Sequence, residues 1–220
     1  DKFEKKSQWI LNNESEKLKF EKTIIDKIFK NSFHKDLGWD RYPNQKIKIK
    51  KNSNEKLFYK FSTKGFRHIS LKQKNKFAIF GDSFAFGSFV KDNSCWSTVI
   101  SKRIKKNFIN FAVPNYGFDQ ALLKYKNKKL DKNIENIIIG VVPETISRIQ
   151  NVWKHYLEFG NIYGFKPRYI LKNNNIYFVK NPLQKKSDFQ NIQKIIEESK
   201  KNDFFYKRKY LKFKFKSFYL

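Results

Sequence analysis

From residue 76 onward, short apolar runs alternate with amphipathic stretches. KFAIF (76–80) and NFINFAV (107–113) read as strands, and ENIIIGVV (135–142), apolar without alternation, reads as a strand covered on both faces. Asn93 or Ser94 is placed to cap a helix running through Trp96, Val99, Ile100 and Ile104. GFDQALLKYKNKKL (117–130) reads as a second helix with Ala121, Leu122 and Tyr125 on one side. Glu144 opens a third, through Ile146, Ile149, Val152, Trp153 and Tyr156. The order β-α-β-α-β-α, with connections too long for hairpins, predicts an α/β domain on a parallel sheet with right-handed crossovers.

The flanks follow other patterns. Residues 1–33 look helical, with Trp9, Leu11, Leu18, Ile24, Ile25, Ile28 and Phe29 set among lysines, and the 3.6-residue period is clearest over about 16–30. In 34–66, Gly38, Pro43, Asn52, Ser53 and Asn54 break any period, so residues 1–66 are expected to form a helical arm with an irregular lead-in. Residues 67–220 are then the α/β domain, with its core at 76–160. Beyond 160, KPRYILK and IYFVK around NNN (173–175) predict a β-hairpin, and 187–201 a lysine-rich helix. YLKFKFKSFY (210–219) alternates basic and aromatic residues at period two, as a nucleic-acid or membrane stripe can, although such a pattern is more often a half-buried strand with a solvated face.

Composition narrows the function classes. The 220 residues are 40% hydrophobic and 18% aromatic, enough to build a core, and no apolar run reaches the length of a membrane span. The net charge of +28 favours anionic surroundings such as lipid headgroups, acidic glycans or nucleic acid. Lys, Asn, Ile and Phe are overused together, however, and lysines are scattered along the chain, which weighs towards compositional bias; nucleic acid is not the expected partner. Cys95 stands alone, so no internal disulfide forms, and His34, His68 and His155 have no zinc-ligand spacing. Neither a metal nor a cofactor is expected, and no Gly-x-x-x-x-Gly-Lys-Ser/Thr or Gly-x-Gly-x-x-Gly is present. A chain that opens on Asp1 and contains no methionine is expected to be a piece of a longer protein.

In open parallel sheets, sites form outside the carboxyl ends of the strands. Here those ends carry Gly81-Asp82-Ser83, Val113-Pro114-Asn115-Tyr116-Gly117 and Val142-Pro143-Glu144-Thr145. A serine hydroxyl is a weak nucleophile that needs exposure, a base and donors for the oxyanion, and a strand-to-helix turn offers exposure and free N–H groups. Ser83 is thus a candidate nucleophile, although Gly-Asp-Ser also suits an ordinary turn. Asp82 is expected to orient that turn through a cap-like bond. Asp119 and Gln120 sit where polar side chains cap a helix or line a cleft, and Cys95 and Trp96 are expected to pack on the first helix.

FAIFGDSFAFGSFVKDNSCW followed by NFAVPNYGFDQALLKY resembles the SGNH hydrolase superfamily (GDSL-type esterases), in the branch found among bacterial polysaccharide-modifying proteins. FSTKGFR (61–67) resembles the lead-in of that branch. The resemblance, over about 61–160, implies a three-layer α/β/α flavodoxin-like fold and a serine that attacks ester carbonyls. It places the nucleophile at Ser83, whose backbone N–H would be one oxyanion donor, and a second donor at the N–H of Asn115, where the family usually has glycine. Asn tolerates the left-handed backbone that such a position needs. Asp82, Gly117, Asp119 and Glu144 are the further candidates to line the cleft. The family's Gly-x-Asn-Asp block corresponds to GVVPETISR, with Glu144 near the donor Asn. An ionised carboxylate cannot donate, and Glu144 is equally explained as a first-turn acid favoured by the helix dipole. Arg148, four residues on, is explained as its ion-pair partner.

The family's base lies in Asp-x-x-His, which is absent: the residues three before His34, His68 and His155 are Asn31, Gly65 and Val152. His155 is expected to be a packing or surface residue. Two explanations compete: the block follows Leu220 in a longer protein, leaving this stretch inactive by itself, or the chain is a catalytically silent member. The expected function is hydrolysis of O-acyl esters, acetyl foremost, of a glycan or small carrier. The alternative is an accessory module that binds an anionic glycan or lipid headgroup.

Overall fold

The computed structural model describes residues 18–50, 56–67, 72–158 and 160–206. In chain order come α1 (Lys22–Asn31), β1 (Phe33–His34), β2 (Gly38–Trp39), β3 (Lys46–Lys50), β4 (Lys56–Lys60) and β5 (Asn75–Phe80). They are followed by α2 (Ser83–Phe86), α3 (Trp96–Ile104), β6 (Asn107–Asn110), α4 (Phe118–Asn127), β7 (Asn136–Ile139) and α5 (Pro143–Ile149). The hairpin β8 (Arg168–Lys172) and β9 (Asn175–Val179) and the helix α6 (Ile192–Asn202) complete the series. The first half of the expected N-terminal helix, His68 and the tail at 210–219 lie outside the described residues.

The described residues divide into two compact units, one from Asp40–Ile149 and one from Asp1–Trp39 with Gln150–Leu220. The expected boundary at 66/67 coincides with neither division. The Asp40–Ile149 unit is mixed α/β, built on a parallel sheet in the order β6-β5-β7. Buried Ala78, Ile79 and Phe80 fill its central strand, and Phe77 stacks on Phe108 with centroids 4.0 Å apart.

Residues 46–61 are not an irregular lead-in. KIKIK and KLFYK alternate at period two and pair as the antiparallel hairpin β3–β4. Its inward face puts Leu57 and Tyr59, followed by Phe61, into one core with Ile79, Phe86, Phe108 and Ala112. Asp40 is tied in as well, pairing with Lys124 of α4 at 2.5 Å. Burial lowers the pKa of Lys124, and the neighbouring carboxylate works against that shift. The buried side of α4 is therefore Gln120, Ala121, Leu123 and Lys124, with Leu122 and Tyr125 only half-buried.

The third helix stops at Ile149 instead of running on to Tyr156. The N–H groups of Val152 and Trp153 donate to the buried carboxylate of Asp203, at 2.7 and 3.1 Å, so they need no helical acceptor. Trp153 and Tyr156 join Phe165, Leu183, Ile192, Ile195, Ile196 and Phe205 in the core of the second unit. The predicted hairpin is present there, turning through Asn173 and Asn174 at φ +50° and +57°, the pair of left-handed residues that a type I′ turn requires.

Candidate functional site

The three strand ends of the Asp40–Ile149 unit finish level with one another. Val113 N–H donates to Gly81 O at 3.0 Å and Gly140 N–H to Phe80 O at 2.8 Å, extending the ladders past the last paired residues. Gly81 takes φ +145°, and a Cβ there would lie 2.6 Å from Ala85 Cβ and 2.9 Å from Gly140 O. Only glycine lets α2 start this close above the sheet edge. Asp82 is its N-cap: Oδ1 accepts from Phe84 N–H at 2.9 Å and Ala85 N–H at 3.3 Å, as expected for a residue that orients the turn. Gly87 closes the turn in the left-handed region at φ +72°.

Ser83 is thereby set at the first position of α2, half-buried. Among the described residues its N–H has no acceptor, because the cap takes the next two N–H groups instead. Asn115, two residues beyond Val113 as Ser83 is two beyond Gly81, is exposed and takes φ +70°, the left-handed conformation anticipated for it. Its N–H likewise has no acceptor among the described residues.

The other candidates have structural partners. Asp82 and Asp119 are 2% and 5% exposed and Gly117 is also buried, so these three do not line an open cleft. Gly117 N–H donates to Gln120 Oε1 at 3.1 Å, and Asp119 Oδ1 accepts from Gln120 N–H at 2.9 Å; together they close the start of α4. Arg148 Nη1 lies 3.9 Å from Asp82 Oδ2 and donates to Tyr116 O at 3.3 Å. This guanidinium ties the end of β5 to the loop after β6. Glu144 is the second residue of α5, after Pro143, and its side chain lies outside the described residues.

A cavity of about 760 Å³ opens beside Ser83. Its walls are the turn and loop from Phe84 to Val90 and the face of α3 carrying Trp96, Val99, Ile100 and Arg103. Trp96 is therefore not plain packing: it is 39% exposed, and its indole N–H donates to Ala85 O at 3.0 Å. Cys95, by contrast, is fully buried.

Sequence reasoning passed over Arg67, the last residue of FSTKGFR. It is 2% exposed, lies over the rings of Tyr59 and Phe86, and donates to Phe86 O, Gly87 O and Val90 O at 2.7, 2.8 and 2.5 Å. Its Nε binds Asp92 at 2.7 Å. One guanidinium thus holds the whole loop that walls the cavity. The segregation of a planar five-donor fork from the many lysines around it was the available signal.

His34 and His155 belong to the other unit, and His68, the one histidine of the Asp40–Ile149 stretch, is outside the described residues. His155 packs on Trp153 and its Nδ1 accepts from Gly160 N–H at 3.2 Å; burial lowers its pKa. No group of three or more His, Cys, Asp or Glu among the described residues could hold a metal ion. No family model matches this chain, and neither a curated protein nor a solved structure does.

Proposed function

We propose that the protein is a serine hydrolase of the SGNH type, with the three-layer α/β/α architecture of that superfamily, acting on O-acyl esters of a glycan or similar carrier. The observation that carries the reading is Ser83 itself: a half-buried serine on the first position of a capped turn, at the end of the central parallel strand, with its own N–H and that of Asn115 unengaged at the same edge. In this scheme Ser83 Oγ attacks the ester carbonyl, and the oxygen that gains charge is met by those two N–H groups. Collapse expels the alcohol and leaves an acyl-serine, which water then hydrolyses. The proton of Ser83 goes to a base, which the resemblance places in an Asp-x-x-His block that these 220 residues lack.

The test is intact-mass and peptide-mapping spectrometry after exposure to p-nitrophenyl acetate or an alkyl fluorophosphonate. The expected result is an adduct on Ser83 with little turnover, and none in Ser83→Ala. Labelling that is indifferent to that substitution removes Ser83 from the chemistry.

A second reading, a catalytically silent module that binds an anionic glycan or lipid headgroup, is favoured by one observation: Glu144 stands near the place of the family's donor Asn, and an ionised carboxylate cannot donate. It predicts no adduct on Ser83, and salt-sensitive binding to an acidic polysaccharide.

A further inference from the structure

We infer that the cavity beside Ser83 is the seat of an aliphatic acyl chain well beyond acetyl, so that the ester cleaved carries a medium-chain fatty acyl group. The inference rests on the hydrolase reading for its chemistry and departs from the acetyl expectation in its substrate.

The walls supply the argument. On α3, Trp96, Val99, Ile100 and Arg103 recur at i, i+3, i+4 and i+7, one face of a helix, and so run about 10 Å at 1.5 Å per residue. Phe84, Phe89 and Val90 form the facing side. Four of these apolar residues reach water: Phe84 is 67% exposed, Phe89 55%, Trp96 39% and Val99 38%. Exposed large apolar groups gathered around a concavity are what a ligand covers. The polar lining is Ser83, Ser88, Ser94 and Arg103. A sugar ring needs several fixed donors and acceptors, and an apolar chain needs none. The volume of about 760 Å³ is likewise far beyond what an acetyl group fills.

The facing wall is also held in a shape that it would not adopt unaided. Phe89 sits at φ +61°, a conformation that costs a bulky residue, with its ring turned outward. It is fixed there by its N–H on the Tyr59 hydroxyl at 2.6 Å and by Arg67 on the next carbonyl, Val90 O. Strain maintained by two buried groups, for a ring that reaches water, marks Phe89 as presented to a ligand.

The experiment is a titration of the protein with sodium octanoate below its micelle concentration, followed by indole fluorescence, with sodium acetate as the charge-matched control and Trp96→Phe to assign the signal. Each buried methylene is worth about fourfold in affinity, so burying even three of octanoate's extra ones favours it by roughly fifty-fold or more. Val99→Glu, on an exposed position of α3, should weaken octanoate at least about tenfold; should it fail to fold, Phe84→Ser serves in its place. Equal responses to octanoate and acetate, or octanoate binding that survives the wall substitution, overturn the inference. The labelling assay run with acetyl and octanoyl p-nitrophenyl esters separates the two proposals. Ser83 adducts at equal rates leave the hydrolase standing and remove the chain site. Saturable octanoate binding without any Ser83 adduct leaves the chain site standing and removes the hydrolase.

Discussion

Replacing Arg67 by methionine should loosen the loop that walls the cavity before it unfolds the sheet. The substitution keeps a long, buried stem but strips the donors from three backbone carbonyls and the partner from Asp92. A buried acceptor left without its donor costs roughly 1–3 kcal/mol, so the buried Phe86 O alone sets a loss of about 1 kcal/mol as the floor, and the part-buried Gly87 O and Val90 O add to it. The Asp92 side chain is 23% exposed and can be rehydrated, so its contribution is taken as small. The Arg67→Lys variant, whose point charge cannot span the fork, should recover less than half of the loss. Hydrogen exchange on peptides covering 84–95, compared with peptides covering β5 and β6, is the direct readout, with urea denaturation giving the total. The expected pattern is faster exchange of the loop amides, with Gly87, Ser88 and Phe89 leading, at denaturant concentrations where the sheet stays protected. A loss below about 1 kcal/mol, or loop exchange unchanged from wild type, would refute the account of Arg67 as the loop's anchor.

Three further outcomes follow from single positions. Gly81→Ala places a Cβ 2.6 Å from Ala85 Cβ at a φ that L-residues avoid, and should cost roughly 2 kcal/mol or more by denaturation, with loss of any Ser83 labelling. Asn174→Gly, at φ +57° in the hairpin turn, should raise thermal stability by roughly 0.5–1 kcal/mol, because glycine enters the left-handed region without penalty. His155 has a pKa below its ordinary 6.5 because burial disfavours the imidazolium. The unfolded chain therefore takes up the proton first, so the stability contribution is whole above 6.5 and is lost as pH falls towards the lower folded value. Melting curves between about pH 5 and 8 should show this slope in the wild type and its removal in His155→Gln.

The parallel sheet was legible because each strand carries a short apolar run and helices fill the gaps between the runs, a pattern that hairpins do not produce. The β3–β4 hairpin was legible only in part. Ile47 and Ile49 alternate with lysines, whereas KLFYK puts Phe58 between Leu57 and Tyr59 and shows its period only in burial, and Asn52, Ser53 and Asn54 between the two runs read as breakers. The end of α5 was not legible. Ile146, Ile149, Val152, Trp153 and Tyr156 keep a helical period, and what ends the helix is a carboxylate fifty residues away, Asp203, which takes the N–H groups of Val152 and Trp153. A local period carries no information about a remote acceptor.

The candidate site divides along the same line. Gly81, Asp82 and Ser83 act on their neighbours: one removes a Cβ, one caps the turn and one takes the first, half-buried position of the turn, so three adjacent letters encode the geometry. Asn115 is legible for the same reason, since a left-handed backbone is a property of one residue. The wall of the cavity is different in kind. Trp96, Val99 and Ile100 have the spacing of a core face, and the sequence assigns the first of them to packing; whether such a face is covered depends on what lies opposite. What lies opposite is a loop whose carbonyls are held by Arg67, which comes from before β5 and spans nineteen residues to reach Phe86 O. The apolar stripe becomes an open cavity because a buried guanidinium holds its partner loop in place, so substitution at Arg67 should alter octanoate binding even though Arg67 does not line the cavity.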